Sequence, residues 1–393
     1  MKKRLLSYMC CPDCKGGFKL IIEKREAKRD AEVKEDGEII SGALVCEQCR
    51  KKYPIIDGVA VILNSKKLKD FAKTKKNWEN WWKKVRGQSD IELYDRLWVQ
   101  AEKNLGAEPL YKKEYFTGKT VLDAGCGTGR YIASDFSKYD CKEIIAVDIG
   151  AQVFEAKRRN NAKNTHFVQT DLTNLPFKKE FFDVITSHGV LHHTPNPKQA
   201  FLGLSKHLKV GGMMAIYVYH KEWAYFKAHR KSLFLDAAYA NGVFVWLAIR
   251  KIVSRMPHFV IKAFAYLMAV KSTIADGLEK KRFTRLIGKA VRFLPPFAYI
   301  GVNFHERLVR NYDHYSATFN YFQSIDEVID WFKAAGFNDL EITSVPVSIR
   351  GFKQKQSVQG PLIVKQYPII DHFEFRKEWE RLYSYHQKKH NKL

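Results

Sequence analysis

Thr120-Val121-Leu122-Asp123-Ala124-Gly125-Cys126-Gly127-Thr128-Gly129-Arg130 decides the fold of this chain. Thr120 to Leu122 is a short apolar run that reads as a buried strand, and Asp123 closes it. Gly125, Gly127 and Gly129 alternate, so the backbone can turn tightly and lie close against a ligand. Beyond Gly129 a helical pattern resumes, and the loop delivers its amides at a helix N-terminus. The spacing is tighter than in a dinucleotide site. An acid ahead of the loop suits a cationic ligand carrying an amino group.

Working outward, Glu143-Ile144-Ile145-Ala146-Val147-Asp148 is a second buried strand ending in an acid. Its distance from the glycine loop is that of a strand–loop–helix–strand unit, which places an acid on a ribose diol. His166 to Leu172 is a third strand with Asp171 at its end, and Phe181 to His193 is a fourth strand running into a loop. A helix from Asn196 to Leu208 is expected to stop at Gly211-Gly212, and Met213 to Tyr219 reads as a fifth strand. Alternating strands and helices mean a parallel sheet with polar groups gathered at the carboxyl ends of its strands.

These motifs together resemble the class I S-adenosylmethionine-dependent methyltransferases over about Gly118 to Tyr219. The resemblance resumes at Ser324 to Ser344, which matches the family's last helix and its stop. It implies an α/β, Rossmann-like seven-stranded sheet. It implies S-adenosylmethionine as cofactor, with Asp123 and the loop residues Gly125, Cys126, Gly127, Thr128 and Gly129 at the methionine moiety. Asp148 would hold the ribose hydroxyls and Asp171 the adenine amino group, with Ile149 and Leu172 as walls of the adenine slot. His188, closing the fourth strand, joins this cofactor set. Gly150 stands where the family usually has a Ser cap, and Thr170 where a Gly is common.

Cys11-Pro12-Asp13-Cys14 and Cys46-Glu47-Gln48-Cys49 form two Cys-x-x-Cys knuckles, enough for one tetrahedral Zn2+ of structural type. Cys10 could compete, but the spacing favours Cys11. With Leu5-Leu6 before them and Tyr53 to Val59 after, the knuckles resemble the zinc-ribbon activator subunit of tRNA and release-factor methyltransferases. The charged stretch from Glu23 to Gly37 reads as a hairpin excursion between them. Cys126 and Cys141 are assigned to no chemistry. Reduced cysteines and no N-terminal apolar region point to the cytoplasm, with peripheral attachment at the inner membrane surface as a further expectation.

The 393 residues carry 67 Lys and Arg against 42 Asp and Glu, a formal net charge of +25 that favours anionic partners. The expected organisation is a zinc ribbon (1–64), a helical linker or lid (65–115), a methyltransferase domain (116–365) and a basic tail (366–393). Trp78, Trp81 and Trp82 form an apolar stripe on a basic helix, and Tyr94 to Trp98 with Arg96 is a candidate lid. The domain carries a long, helical, apolar and basic insertion at about 221–323. No apolar run in it reaches the ~18 residues a membrane span requires. Arg250, Lys251, Arg255 and Lys262 interrupt its apolar stripes, which suits either a substrate cap or an anionic membrane surface. His193 and His220 are the candidate catalytic bases, since methyl transfer often needs a group to take the acceptor's proton.

The expected activity is methyl transfer to a small-molecule or lipid-linked acceptor enclosed by the insertion. The alternative is an RNA methyltransferase docking nucleic acid through the ribbon and basic helices. The Gly189 to His193 loop lacks the aromatic motif that grips exocyclic amines of bases, which disfavours that one class of target. A third reading is a non-catalytic cofactor-binding adaptor.

Overall fold

The computed structural model describes residues 1–25, 38–63, 75–77, 79–80, 97, 100–160, 162–221, 245–294, 296, 303–345, 347–354, 361–369, 377–379 and 381–385. The tryptophan stripe, all of Tyr94 to Trp98 except Leu97, and most of the Glu23–Gly37 excursion lie outside these residues. Twelve strands are described: β1 (Phe18–Arg25), β2 (Ile39–Cys46), β3 (Lys52–Ile56), β4 (Val59–Ile62), β5 (Thr120–Ala124), β6 (Glu143–Asp148), β7 (Thr165–Thr170), β8 (Phe182–His188), β9 (Leu208–Tyr217), β10 (Phe337–Ile342), β11 (Ser348–Lys353) and β12 (Ile363–Gln366). The labelled helices are α1 (Arg130–Ser134), α2 (Gln152–Arg159), α3 (Pro197–Ser205), α4 (His258–Glu279), α5 (Arg285–Phe293), α6 (Phe304–Ser316) and α7 (Ile325–Ala334).

The chain divides into two units. The first comprises Met1–Asp70, Gly106–Val218 and Ile325–Ile370; the second comprises Phe71–Leu105, Tyr219–Ser324 and Asp371–Leu393. In the first unit the order β7-β6-β5-β8-β9-β11-β10 contains the expected seven strands, with β11 antiparallel to both β9 and β10. The central strands β5, β6 and β7 are buried along their whole length, as a parallel sheet covered on both faces requires. The sheet reaches twelve strands because β12 adds beside β10 and the ribbon adds at the other edge. There β4 lies parallel to β7, and β3, β2 and β1 follow by antiparallel pairing.

Gly211 and Gly212 sit inside β9 rather than stopping a helix, which differs from the sequence expectation. The preceding helix α3 begins at an Asn196 cap, whose side chain accepts from Gln199 N, and ends at Ser205. The β8–β9 register slips between Phe182 and Val184, and Gly211 there has φ of 78°. A Cβ on Gly212 would stand 2.9 Å from Asp183 O. The glycines therefore make a bulge.

The ribbon shares its core with the seven-stranded sheet. Leu5, Met9, Ile39, Leu44 and Ile55 belong to one buried cluster with Val168, Leu175 and Phe177. Cys10 N donates to Pro176 O at 3.0 Å, and Lys178 N to Tyr8 O at 3.2 Å. The reason is physical: a ribbon this small buries little by itself, and β7 would otherwise be an open edge.

Arg350 on β11 is fully buried in the same unit. Its guanidinium bridges Glu108 and Glu341, donates to Pro109 O at 2.6 Å, and lies over the Tyr115 ring. It thus ties the segment entering the domain to β10 and β11.

In the second unit, Trp246, Val253, Ile261, Ala265, Met268, Tyr312 and Tyr315 form a separate apolar core. Helix α4 is long and apolar enough to cross a membrane by length and composition, although Lys262 and Lys271 interrupt its apolar run as the sequence expectation has it. It buries a stripe of Ile261, Ala265, Met268, Ala269, Ser272 and Ala275, the signature of a helix packed within its unit. Arg250 is corrected. It is buried, with Nε donating to His314 O at 2.8 Å and Nη2 to Ala317 O at 2.5 Å, so it caps the end of α6 rather than facing solvent. Lys251, Arg255 and Lys262 are exposed.

Replacing Arg350 by Met leaves two carboxylates without their buried cation. We expect R350M to lose about 3 kcal/mol of stability, read as a lowered urea midpoint with an unchanged slope.

Candidate cofactor and metal sites

The candidate cofactor residues gather at the carboxyl ends of β5, β6, β7 and β8, and Asp148 holds the assembly. Its Oδ2 accepts from Gly127 N at 2.9 Å, while Oδ1 accepts from Gly150 N at 2.9 Å and from Gln152 Nε2 at 2.7 Å. The glycine loop is thereby bonded to the neighbouring strand end. A Cβ at residue 150 would stand 2.0 Å from Gln152 Oε1, the end of a flexible side chain. Gln152 supplies the donor that a Ser cap would have given, a substitution the sequence analysis did not find.

Most of the loop amides serve the fold. Gly125 N and Cys126 N both donate to Val147 O, at 2.8 and 2.9 Å, and Gly129 N donates to Cys126 O at 2.9 Å. Gly125 has φ of 91°, and a Cβ on it would stand 2.3 Å from Val190 Cγ2. This close approach seats the Gly189–His193 loop against the glycine loop. Gly129 adopts a left-handed conformation at the start of α1, as the alternating glycines anticipate.

Two features of this edge fit a cationic, polar cofactor. Asp123 is buried, and burial pushes its carboxyl up to about 7; the bond from Thr186 Oγ1 at 3.2 Å opposes the rise and the Asp148 charge adds to it. A buried carboxyl held so high is what a cationic partner would stabilise. Thr128 Oγ1 in the loop is buried with no hydrogen-bond partner. Asp171 caps the turn that follows β7, accepting from Thr173 N and Thr173 Oγ1 at 2.8 Å each. Leu172 beside it is buried, and Ile149 O accepts from Gln169 Nε2 at 3.0 Å.

His188, at the end of β8, stands among three tyrosines. Its Nε2 lies 2.7 Å from Tyr131 Oη and its Nδ1 3.4 Å from Tyr111 Oη. The Tyr217 ring lies 4.7 Å from its own, centroid to centroid. Burial first and the Arg130 charge second push its pKa well below the usual histidine value, so the ring stays neutral. Tyr111 and Tyr131 were not legible in the sequence; only the position of Tyr131, directly after the loop, gave a signal. His193 is buried in a turn at Leu191–His193, its ring 4.1 Å from that of His192. His220 falls in the second unit, buried and bridged to Gln323.

The ribbon brings Cys11, Cys14, Cys46 and Cys49 together, their sulfurs all within 4.8 Å of one another. Cys11 Sγ lies 3.7 Å from Cys49 Sγ, and Cys14 Sγ 3.3 Å from Cys46 Sγ. Thiolates at about 2.3 Å from one zinc ion stand about 3.8 Å apart in a tetrahedron, so the donor set fits. Each knuckle closes through a left-handed residue, Lys15 with φ of 64° and Arg50 with φ of 59°. Cys11 N donates to Gly16 O, Cys46 N to Lys51 O, and Tyr53 Oη donates to Asp13 at 3.0 Å beside the cluster. Cys10 stays outside the group.

This sheet order, with a glycine loop after its first central strand and acids after the next two, defines the class I S-adenosylmethionine-dependent methyltransferase fold. Residues 122–216 match the family described as a methyltransferase domain, and residues 2–58 match the Trm112p-like protein family. Residues 122–216 thus resemble a methyltransferase domain and residues 2–58 a Trm112p-like domain. It is 34% identical over 109 residues to the tRNA (carboxymethyluridine(34)-5-O)-methyltransferase of Arabidopsis thaliana, covering 27% of this chain and 25% of that protein. It is 33% identical over 111 residues to the ubiquinone/menaquinone biosynthesis C-methyltransferase UbiE of Vibrio campbellii, covering 26% of this chain and 42% of that protein. The chain therefore spans less than half the length of these relatives. A solved complex of the Haloferax volcanii Trm112 methyltransferase activator with a methyltransferase aligns at 22% identity and a TM-score of 0.31, over 37% of this chain and 62% of that one.

Because the ribbon and the sheet share one core, stripping metal with a chelator should lower the unfolding temperature of the whole first unit. Cys11→Ser should do the same. Differential scanning calorimetry should show a transition that moves as one; a separate early ribbon transition would contradict the shared core.

Proposed function

We propose that this protein transfers a methyl group from S-adenosylmethionine to a small-molecule or lipid-linked acceptor. The observation that carries the transfer reading is Asp123, a buried carboxyl behind the glycine loop with its pKa raised to about 7. In this reading it faces the ammonium of the methionine moiety. Thr128 and Asp148 complete the polar side of the site, and Leu172 and Ile149 its apolar wall. When bound, the cofactor supplies an activated methyl on a sulfonium, so the chain's task is to position the acceptor and exclude water.

His193 and His220 remain our candidate bases, and His188 is a positioning residue beside Tyr131. Tyr131 Oη stands 2.7 Å from Nε2, so His188 fixes the orientation of that hydroxyl, while burial, which disfavours the charged ring, keeps His188 itself neutral. Tyr111 and Tyr217 hold the ring in place. The aromatic surroundings suit a planar or lipid-like acceptor more than an open groove.

A second reading, RNA methylation, is supported by the net charge of +25, by the Trm112p-like ribbon and by the Arabidopsis relative named for tRNA. The Vibrio relative, named for quinone biosynthesis, supports the first reading. Labelled cofactor offered with fractionated RNA, lipid and small-molecule pools separates them by which pool becomes labelled.

Two results should follow at the site. Since a cationic ligand needs ionised Asp123, cofactor affinity should fall about tenfold per pH unit below about 7, because binding must then release the proton. Calorimetry should show this slope vanish, with weaker binding throughout, in Asp123→Asn. Tyr131→Phe and His188→Asn should keep cofactor affinity and lower kcat about a hundredfold. Loss of cofactor affinity in His188→Asn would instead return His188 to the cofactor set.

A further inference from the structure

We propose that the α5 corner of the second unit is a docking face for anionic phospholipid. Lys280 to Lys289 reads KKRFTRLIGK, with five cations and no acid. Among those cations, Phe283, Leu286 and Ile287 are 96%, 80% and 56% exposed. The packing of α5 shows why they face outward. A Cβ on Gly288 would stand 2.7 Å from Glu279 N and 2.8 Å from Ala275 O, so the helix rests on the last turns of α4 through its glycine. Leu286 lies on the opposite side of that contact.

The corner is held in place at both ends. Thr284 Oγ1 donates to Leu278 O at 2.8 Å, and Lys271 Nζ donates to Pro296 O at 2.8 Å beyond the helix. The acids of the adjoining turn do not cancel its charge from outside: Asp276 is paired with Arg307, and Glu279 is half-buried. Helix α4 exposes further large apolar groups at Phe259, Tyr266, Leu267 and Ile274, beside exposed Lys262.

Water disfavours a fixed surface of this kind. A helix lying in the headgroup plane uses both of its components, the apolar side chains entering the acyl boundary and the cations meeting lipid phosphates. Nucleic acid would engage the cations but leave Leu286 and Ile287 without a role, since aliphatic side chains offer bases no stacking face. Charge and shape together favour lipid. The inference goes beyond the proposed reaction and does not rest on it, because it concerns where the protein sits rather than what it methylates.

Flotation of the full-length protein with phosphatidylcholine vesicles, with and without phosphatidylglycerol, tests it. Binding is expected to the phosphatidylglycerol vesicles, to weaken as salt rises, and to be absent with phosphatidylcholine alone. Phe283→Glu with Leu286→Glu should lower the partition coefficient at least tenfold. Arg282→Gln and Arg285→Gln should each lower it about fivefold (~1 kcal/mol). These side chains are exposed, so thermal unfolding and cofactor binding should stay at wild-type values and report that each variant is folded. Failure of the wild type to float at low salt would overturn the proposal. So would a folded Phe283→Glu, Leu286→Glu variant that floats as well as wild type. Wild-type protein that binds bulk RNA through these arginines and ignores vesicles would make the face a nucleic-acid surface instead.

Discussion

The carboxylate of Asp148 is the interaction on which the candidate site depends. It takes donors from the glycine loop, from the turn after β6 and from the first turn of α2. A charged acceptor with three donors in a buried setting is stronger than neutral bonds and more costly to break. Through it the loop, the strand end and the helix move as one body. The loop's own amides reinforce that body, two of them converging on Val147 O. What remains for a ligand is a small set of side chains, chiefly Asp123 and Thr128. Asp123 is left in an environment that resists its charge until a cation arrives.

A second constraint is the open edge of the sheet at β7. The ribbon meets it with β4 and with the apolar residues of its first turn, so the edge is paired and the two cores merge. The four-cysteine cluster then has more to support than its own knuckles. A four-cysteine site that closes a short hairpin assembly also fixes the strands that cover the methyltransferase edge. This couples the ribbon to the enzyme's core without placing any ribbon residue among the candidate cofactor groups.

The second unit follows different rules. Its described core is built on Trp246, Tyr312 and Tyr315, and Arg250 is used to satisfy carbonyls at the end of α6. Its surface keeps large apolar groups outside, on α4 and at the α5 corner. The same composition of apolar and basic residues therefore serves two ends, and the division between them is made residue by residue.

The sheet was legible in the sequence because its central strands β5, β6 and β7 are buried along their length and each is closed by an acid, Asp123, Asp148 and Asp171 in turn, a local pattern that survives without tertiary knowledge. The same holds for the two Cys-x-x-Cys knuckles, whose spacing meets the geometry of one metal. Other features depend on partners far away in the chain. Gly211-Gly212 has the look of a helix stop, yet it became a bulge because β9 had to stay in register with β8. Arg250 has the look of a headgroup cation until His314 and Ala317 are beside it. Tyr111 and Tyr131 join His188 only when the segment before the sheet and the turn after the loop converge. Gln152 donates to Asp148 from the first turn of α2, where Gly150 stands in place of a Ser cap. Local periodicity and motif spacing determine which elements form. Burial, register and long-range hydrogen bonds decide what their side chains do, because those depend on neighbours that the linear sequence does not place side by side.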